Sequence, residues 1–196
     1  MSITVLEVNN PPVISDLQTS YTIDENIAEI ATFTVTDPEN GQLTIGVSGD
    51  DSVGFTVVSN VLIFEGGLNF ESPSDSDTDN VYLVTVFADD GLNRTTQDVQ
   101  ITVSDVPEAP EFVGLNSQVS VDENERIIFA LNVVDPEGGD VTFGINGGDD
   151  SDLLRIFTID SSNGNLAFNA FDGVDYENPE DLNGDNIYEV QLFAAE

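Results

Sequence analysis

The stretch Val81-Tyr82-Leu83-Val84-Thr85-Val86-Phe87 decides the fold: it is an unbroken run of β-branched, aromatic and leucine residues, opened by Asp79-Asn80 and closed by Asp89-Asp90-Gly91. Such a run is too short for a capped helix and is made of the residue types that favour strands, so it reads as a strand buried in a sheet. Upstream, Ala31-Thr32-Phe33-Thr34-Val35 alternates apolar side chains with Thr, the period of a strand with one buried face. About seven such runs occupy the first half of the chain, separated by Gly, Asn, Asp and Pro, and none combines a helical period with caps. The pattern predicts an all-β, Greek-key sandwich of about 100 residues.

The pattern comes twice. Ile3-Thr4-Val5 recurs as Ile101-Thr102-Val103 and Asp37-Pro38-Glu39 as Asp135-Pro136-Glu137, 98 positions apart. Further on, Asn69-Phe70-Glu71 recurs as Asp175-Tyr176-Glu177 and Val81-Tyr82 as Ile187-Tyr188, now 106 apart. A fixed period marks tandem repeats, and the wider spacing places a short insertion in the second copy, which a loop absorbs at small entropic cost. Residues 1–12 match the last strand and linker of a copy, so they are expected to be the tail of a preceding repeat. The first repeat then covers 13–106 and the second 107–196, the latter lacking its last strand, and the two sandwiches are expected end to end within a longer array.

Composition narrows the chemistry. Asp and Glu number 38 against three Arg and no Lys, a net charge of -35, which repels nucleic acid and anionic membranes. The apolar share of 39% is high enough for real cores, so the charge does not imply disorder. No apolar run approaches the length of a membrane span, and no direct membrane insertion is expected. Without Cys, His or Trp the chain offers no zinc, copper or iron–sulfur ligation, no thiol nucleophile and no Ser–His pair. What remains is oxygen donors, and carboxylates with Asn and backbone carbonyls suit Ca²⁺ best.

The acidic residues fall in matched places. Asp24-Glu25-Asn26 answers Asp122-Glu123-Asn124, and Asn69-x-Glu71 answers Asp175-x-Glu177. Asp37-x-Glu39 answers Asp135-x-Glu137, Asp90 answers Glu196, and Asp105 and Glu108 flank Val106-Pro107 between the copies. In this set the chain resembles cadherin repeats. The resemblance implies calcium held where one repeat meets the next, by Glu25, Asn69, Glu71, Asp105 and Glu108 with Asp135, Glu137 and Glu196 of the second copy. Asp37, Glu39 and Asp90, and Glu123, Asp175 and Glu177, are the equivalent residues facing the neighbouring repeats of an array. Asn69 stands where the family has Asp, Pro107 removes a linker Asn, and Glu108 and Glu137 lengthen the arm, so one or two ions are expected at this junction. The short linker Asp105-Val106-Pro107-Glu108-Ala109-Pro110 resembles bacterial members of the family more than animal ones.

A further acidic loop precedes the sixth strand run of each copy, Asp75-x-Asp77-x-Asp79 in the first and Asp181-x-Asn183-x-Asp185 in the second. Oxygens at alternate positions can curl around one cation, as in the first half of an EF-hand loop, although the closing Glu is missing. Asp-Pro-Glu-Asn-Gly and Asp-Pro-Glu-Gly-Gly are also good turns. Tyr82 and Tyr188 are read as core anchors.

The expected function is that of a non-catalytic, calcium-stiffened, extracellular adhesion or spacer module of a bacterial surface or secreted protein. A second copy of the chain is an expected partner, by homophilic contact or by donation of strand 3–8 head to tail. The competing reading is a carbohydrate-binding accessory module with polysaccharide as partner. Catalysis by paired carboxylates is disfavoured, because the acidic groups recur at both repeats and do not form one unique pocket.

Overall fold

The computed structural model describes residues 1–6, 8–124, 128–148, 157–168 and 174–196. The chain divides into two compact units, Met1–Val106 and Pro107–Glu196. Regular structure among the described residues is strand, and no helix is long and apolar enough to cross a membrane.

In the first unit the strands are β1 (Val13–Ser15), β2 (Ser20–Asp24), β3 (Glu29–Thr32), β4 (Thr34–Thr36), β5 (Thr44–Ser48), β6 (Phe55–Val58), β7 (Val61–Phe64), β8 (Val81–Asp89) and β9 (Arg94–Ser104). Nine strands appear where about seven runs were expected, because two runs are broken. The first is cut at Asp16, whose φ of +64° turns the chain, so β1 pairs antiparallel with β4 while β2 runs parallel to β9. The tyrosine hydroxyl of Tyr21 fixes that break by accepting the N–H of Gln18 at 2.8 Å. The second is cut at Phe33, whose N–H is donated to the Asn60 carbonyl at 3.0 Å.

One sheet has the order β2-β9-β8-β5 and the other β3-β7-β6. Period-two alternation points Tyr82, Val84, Val86 and Ala88 of β8 and Val99, Ile101 and Val103 of β9 inward, as the sequence pattern requires. They meet Ile30, Phe55 and Leu62 of the opposite sheet and Phe33 at the break between β3 and β4. Phe55, Phe64 and Tyr82 join edge to face with ring centres 4.9–6.1 Å apart, the arrangement their quadrupoles favour. Leu62 and Val86 are fully enclosed, and each such side chain adds about 1.5–3 kcal/mol of burial.

The second unit contains β10 (Glu111–Phe112), β11 (Ile128–Ala130), β12 (Val133–Val134), β13 (Thr142–Gly147), β14 (Phe157–Ile159), β15 (Asn165–Phe168) and β16 (Gln191–Ala195). Its core gathers Phe157, Leu166 and Phe168, with Ile145, Tyr188 and Leu192 packed on them. The sixth run, expected from Ile187, is strand only from Gln191. In the first unit Val81–Val84 pair with β9 and lie beyond the reach of β5. No described strand takes the place of β9 beside residues 187–190.

Candidate metal centres

The turns that carry the acidic groups are built by the same hydrogen bonds in both units. After β2, Asn26 adopts φ +61° and donates its N–H to the Leu68 carbonyl, and Asn124 (φ +60°) donates likewise to Val174. This seats Glu25 so that its Oε2 accepts the Phe70 N–H at 3.0 Å, as Glu123 Oε2 accepts that of Tyr176 at 3.0 Å. Asn80 Nδ2 donates to the Phe70 carbonyl, and Asn186 Nδ2 to that of Tyr176. The Tyr82 hydroxyl accepts the N–H of Ser74, and the Tyr188 hydroxyl that of Glu180. Both tyrosines are thus core rings whose polar tips pin a loop.

In the first unit Glu25 is 3% exposed, and its Oε1 also accepts the Val106 N–H at 2.9 Å. A carboxylate oxygen of Glu25, one of Glu71 and one of Asp105 lie within 4.8 Å of one another. The side-chain oxygen of Asn69 accepts the Ser72 N–H at 2.5 Å and closes a local turn.

In the second unit oxygens of Asp135, Glu137 and Glu196 also lie within 4.8 Å of one another. Asp135 Oδ2 accepts the Gly139 N–H at 2.7 Å, and Glu137 Oε1 that of Glu108 at 2.7 Å. Asp135 Oδ1 and Glu137 Oε2 are buried and have no hydrogen-bond partner. The charge of Asp135, then burial, raises the pKa of Glu196 above the ordinary carboxylate range. At Gly139 a Cβ would come within 2.9 Å of Glu196 Oε1 and 3.3 Å of Asp135 Oδ2, so the backbone closes directly over the carboxylates. Asp135 also forms a turn, its carbonyl accepting the Gly138 N–H, so the turn and the carboxylate cluster coexist.

No protein-family model matches the chain. The chain is 31% identical over 140 residues, 67% of its length, to mouse Cadherin-related family member 2. It is 26% identical to chicken Cadherin-4 in an alignment spanning 99% of the chain. The human Desmocollin-1 ectodomain shares its fold at a TM-score of 0.53 and 19% identity, over 96% of this chain and 38% of that one. The chain is made of cadherin-like domains. It spans 10% of the length of Cadherin-related family member 2 and 23% of that of Cadherin-4.

The other acidic residues take varied places in these cadherin-like units. Glu123, Asp175 and Glu177 bring oxygens within 4.8 Å of one another, all three residues being exposed. Asp37, Glu39 and Asp90 do not gather in this way among the described residues. Asp37 Oδ1 accepts the N–H groups of Glu39 and Gly41, Glu39 accepts Asn10 Nδ2 at 2.6 Å, and Asp90 accepts Asn9 Nδ2 at 2.9 Å. Backbone N–H groups of Asn93 and Leu92 hold the pKa of Asp90 below its ordinary value. Asp75, Asp77 and Asp79 bring their oxygens together within 4.8 Å. In the second unit Asp181 is buried and its oxygens accept the N–H groups of Asp185 and Asn186, while Asn183 accepts from Asp185.

Asp51 was not singled out from the sequence. It is 7% exposed, and accepts the N–H of Ser76 at 2.8 Å and of Leu83 at 2.9 Å, tying the acidic loop to β8. The available signal was recurrence: Gly49-Asp50-Asp51-Ser52 returns as Gly148-Asp149-Asp150-Ser151. The second copy of that motif falls largely outside the described residues.

Proposed function

We propose that the chain is a calcium-binding, non-catalytic adhesion or spacer module of an extracellular, repeat-built protein. One observation carries the reading: Asp135, Glu137 and Glu196 crowd three carboxylates together and leave two of their oxygens buried without a donor. Among the described residues the one ion pair is Arg94–Asp89 in the other unit, and no described cationic side chain answers this cluster. Oxygen-only donors of this kind fit a hard cation that takes six to eight oxygens, and Asp135, Glu137 and Glu196 would hold it in the second unit, Glu25, Glu71 and Asp105 in the first. A bound ion would supply the positive charge that relieves the repulsion. Asp105 precedes and Glu108 follows the boundary between the units, so ligation is proposed to restrain the linker. The shortness of that linker favours a bacterial parent.

Thermal unfolding with chelator and with 10 mM calcium tests this. For a Kd of about 1 mM, typical of extracellular modules, mass action gives about 1.4 kcal/mol per site. That raises the Tm of a unit of this size by roughly 6–11 °C. Asp135→Asn should remove the gain of the second unit, and Glu71→Ala or Asp105→Ala that of the first. Equal Tm values with and without calcium refute the proposal.

A further inference from the structure

The acidic loop of the first unit is separate from the two clusters above, and its innermost side chain has an unusual environment. Asp75 is 5% exposed, yet only one of its oxygens is engaged: Oδ2 accepts the Asp79 N–H at 2.9 Å, while Oδ1 is buried with no partner. Two further carboxylates, Asp77 and Asp79, converge on it within 4.8 Å and are themselves exposed. Burying an ionised carboxylate oxygen without a donor is unfavourable, and adding two negative charges beside it makes it more so. The loop nevertheless has a fixed shape. Asp51 clamps Ser76, the Tyr82 hydroxyl holds Ser74, and Asp79 Oδ1 caps the Val81 N–H. Asn80, at φ +64°, ties the loop's end to Phe70 through its Nδ2 and leaves its own Oδ1 buried and unpartnered. An orphaned buried oxygen on Asp75, within a cluster of three carboxylates, is what a cation would satisfy.

We propose that Asp75, Asp77 and Asp79 bind one further calcium ion inside the first unit, with Asp75 Oδ1 as its innermost ligand. Two of the three carboxylates reach it from solvent, so water completes the oxygen shell, which suits the flexible coordination of calcium better than the rigid octahedron of magnesium. The second unit differs at the same place. Asn183 replaces the middle carboxylate and both oxygens of Asp181 are already engaged.

Calcium titration of the whole chain by calorimetry tests the site independently of the proposed function. Asp77→Asn alters an exposed side chain, so folding is not at issue; Asp75→Asn is the stricter variant, with circular dichroism to confirm its fold. Both should lose one bound ion per chain, or bind it more than about tenfold more weakly. Glu71→Gln should keep that ion and lose a different one. An unchanged ion count and affinity in Asp77→Asn overturns the loop site, whatever Glu71→Gln does. Loss of binding in Asp77→Asn but none in Glu71→Gln would leave the loop site standing and overturn the proposed first-unit site.

Discussion

Replacing Asp51 by Ala should destabilise the first unit by about 3 kcal/mol in the absence of calcium. Its buried carboxylate accepts two backbone N–H groups, from Ser76 and Leu83, and hydrogen bonds to an ionised acceptor contribute about 1.5–3 kcal/mol each. Ser76 is exposed, so water can take over its N–H after the substitution and most of that bond's value is recovered. Leu83 is exposed as well, so part of its bond's value is also recovered, which keeps the expected loss at the low end of the two bonds' combined range. Ala also leaves a small void. The loss corresponds to a drop in Tm of roughly 12–24 °C for a unit of this size. Acidity provides a second readout. The Leu83 N–H, the largest influence, lowers the folded-state pKa of Asp51 below its ordinary value of about 3.9. Its stabilisation is therefore fully present above that ordinary value and disappears as the pH falls through the lower folded-state value. Urea unfolding of both proteins in chelator, from pH 7 down to pH 3, measures both effects. A loss below about 1 kcal/mol at pH 7, or a gap between the proteins that stays constant down to pH 3, would show that Asp51 does not anchor the loop.

Tyr82→Phe keeps the ring among Phe55 and Phe64 but leaves the Ser74 N–H without its acceptor, so urea unfolding should show a loss of about 1 kcal/mol with an unchanged m-value. Calcium should slow the fast motion of the linker amides of Val106 and Glu108, which ¹⁵N relaxation reports directly; identical order parameters with and without calcium contradict a stiffened linker. Ile3, Val5, Leu6 and Val8 are all more than 70% exposed, and if they add to a second copy of the chain, deleting residues 1–8 abolishes any concentration-dependent association seen by light scattering. A monomer before and after the deletion ends that idea.

The sheet architecture was legible because alternation alone settles which face of β8 and β9 is buried, and tandem recurrence settles that the pattern repeats. Strand ends were less legible. The break at Asp16 depends on a positive φ that Asp adopts only when its surroundings ask for it, and the late start of β16 depends on which neighbour lies beside residues 187–190. For the candidate sites, the acidic positions matched between the repeats named the residues that converge at Glu25 and Asp135, although they lie far apart in sequence, whereas the alternate spacing of Asp75, Asp77 and Asp79 places those three locally. Motif matching gave no sign that the side chain of Asn69 also closes a turn to Ser72. It passed over Asp51, because a turn aspartate gives no local sign that its carboxylate reaches residues 25 and 32 positions away.

Four of the bonds that shape the acidic loop start and end within residues 70–82: Phe70 to Asn80, Ser74 to Tyr82, Asp75 to Asp79, and Asp79 to Val81. All four return in the second unit although the spacing between copies has shifted by eight residues, so the insertion left the segment's internal wiring untouched. The segment behaves as a cassette that carries its own folding instructions. From its host in the first unit it takes a pocket for one tyrosine ring, a Glu25-like acceptor for the Phe70 N–H, an Asp51-like acceptor for the Ser76 N–H and a β9-like strand beside residues 80–82. That makes it a candidate for transplantation between β-sandwiches that offer these.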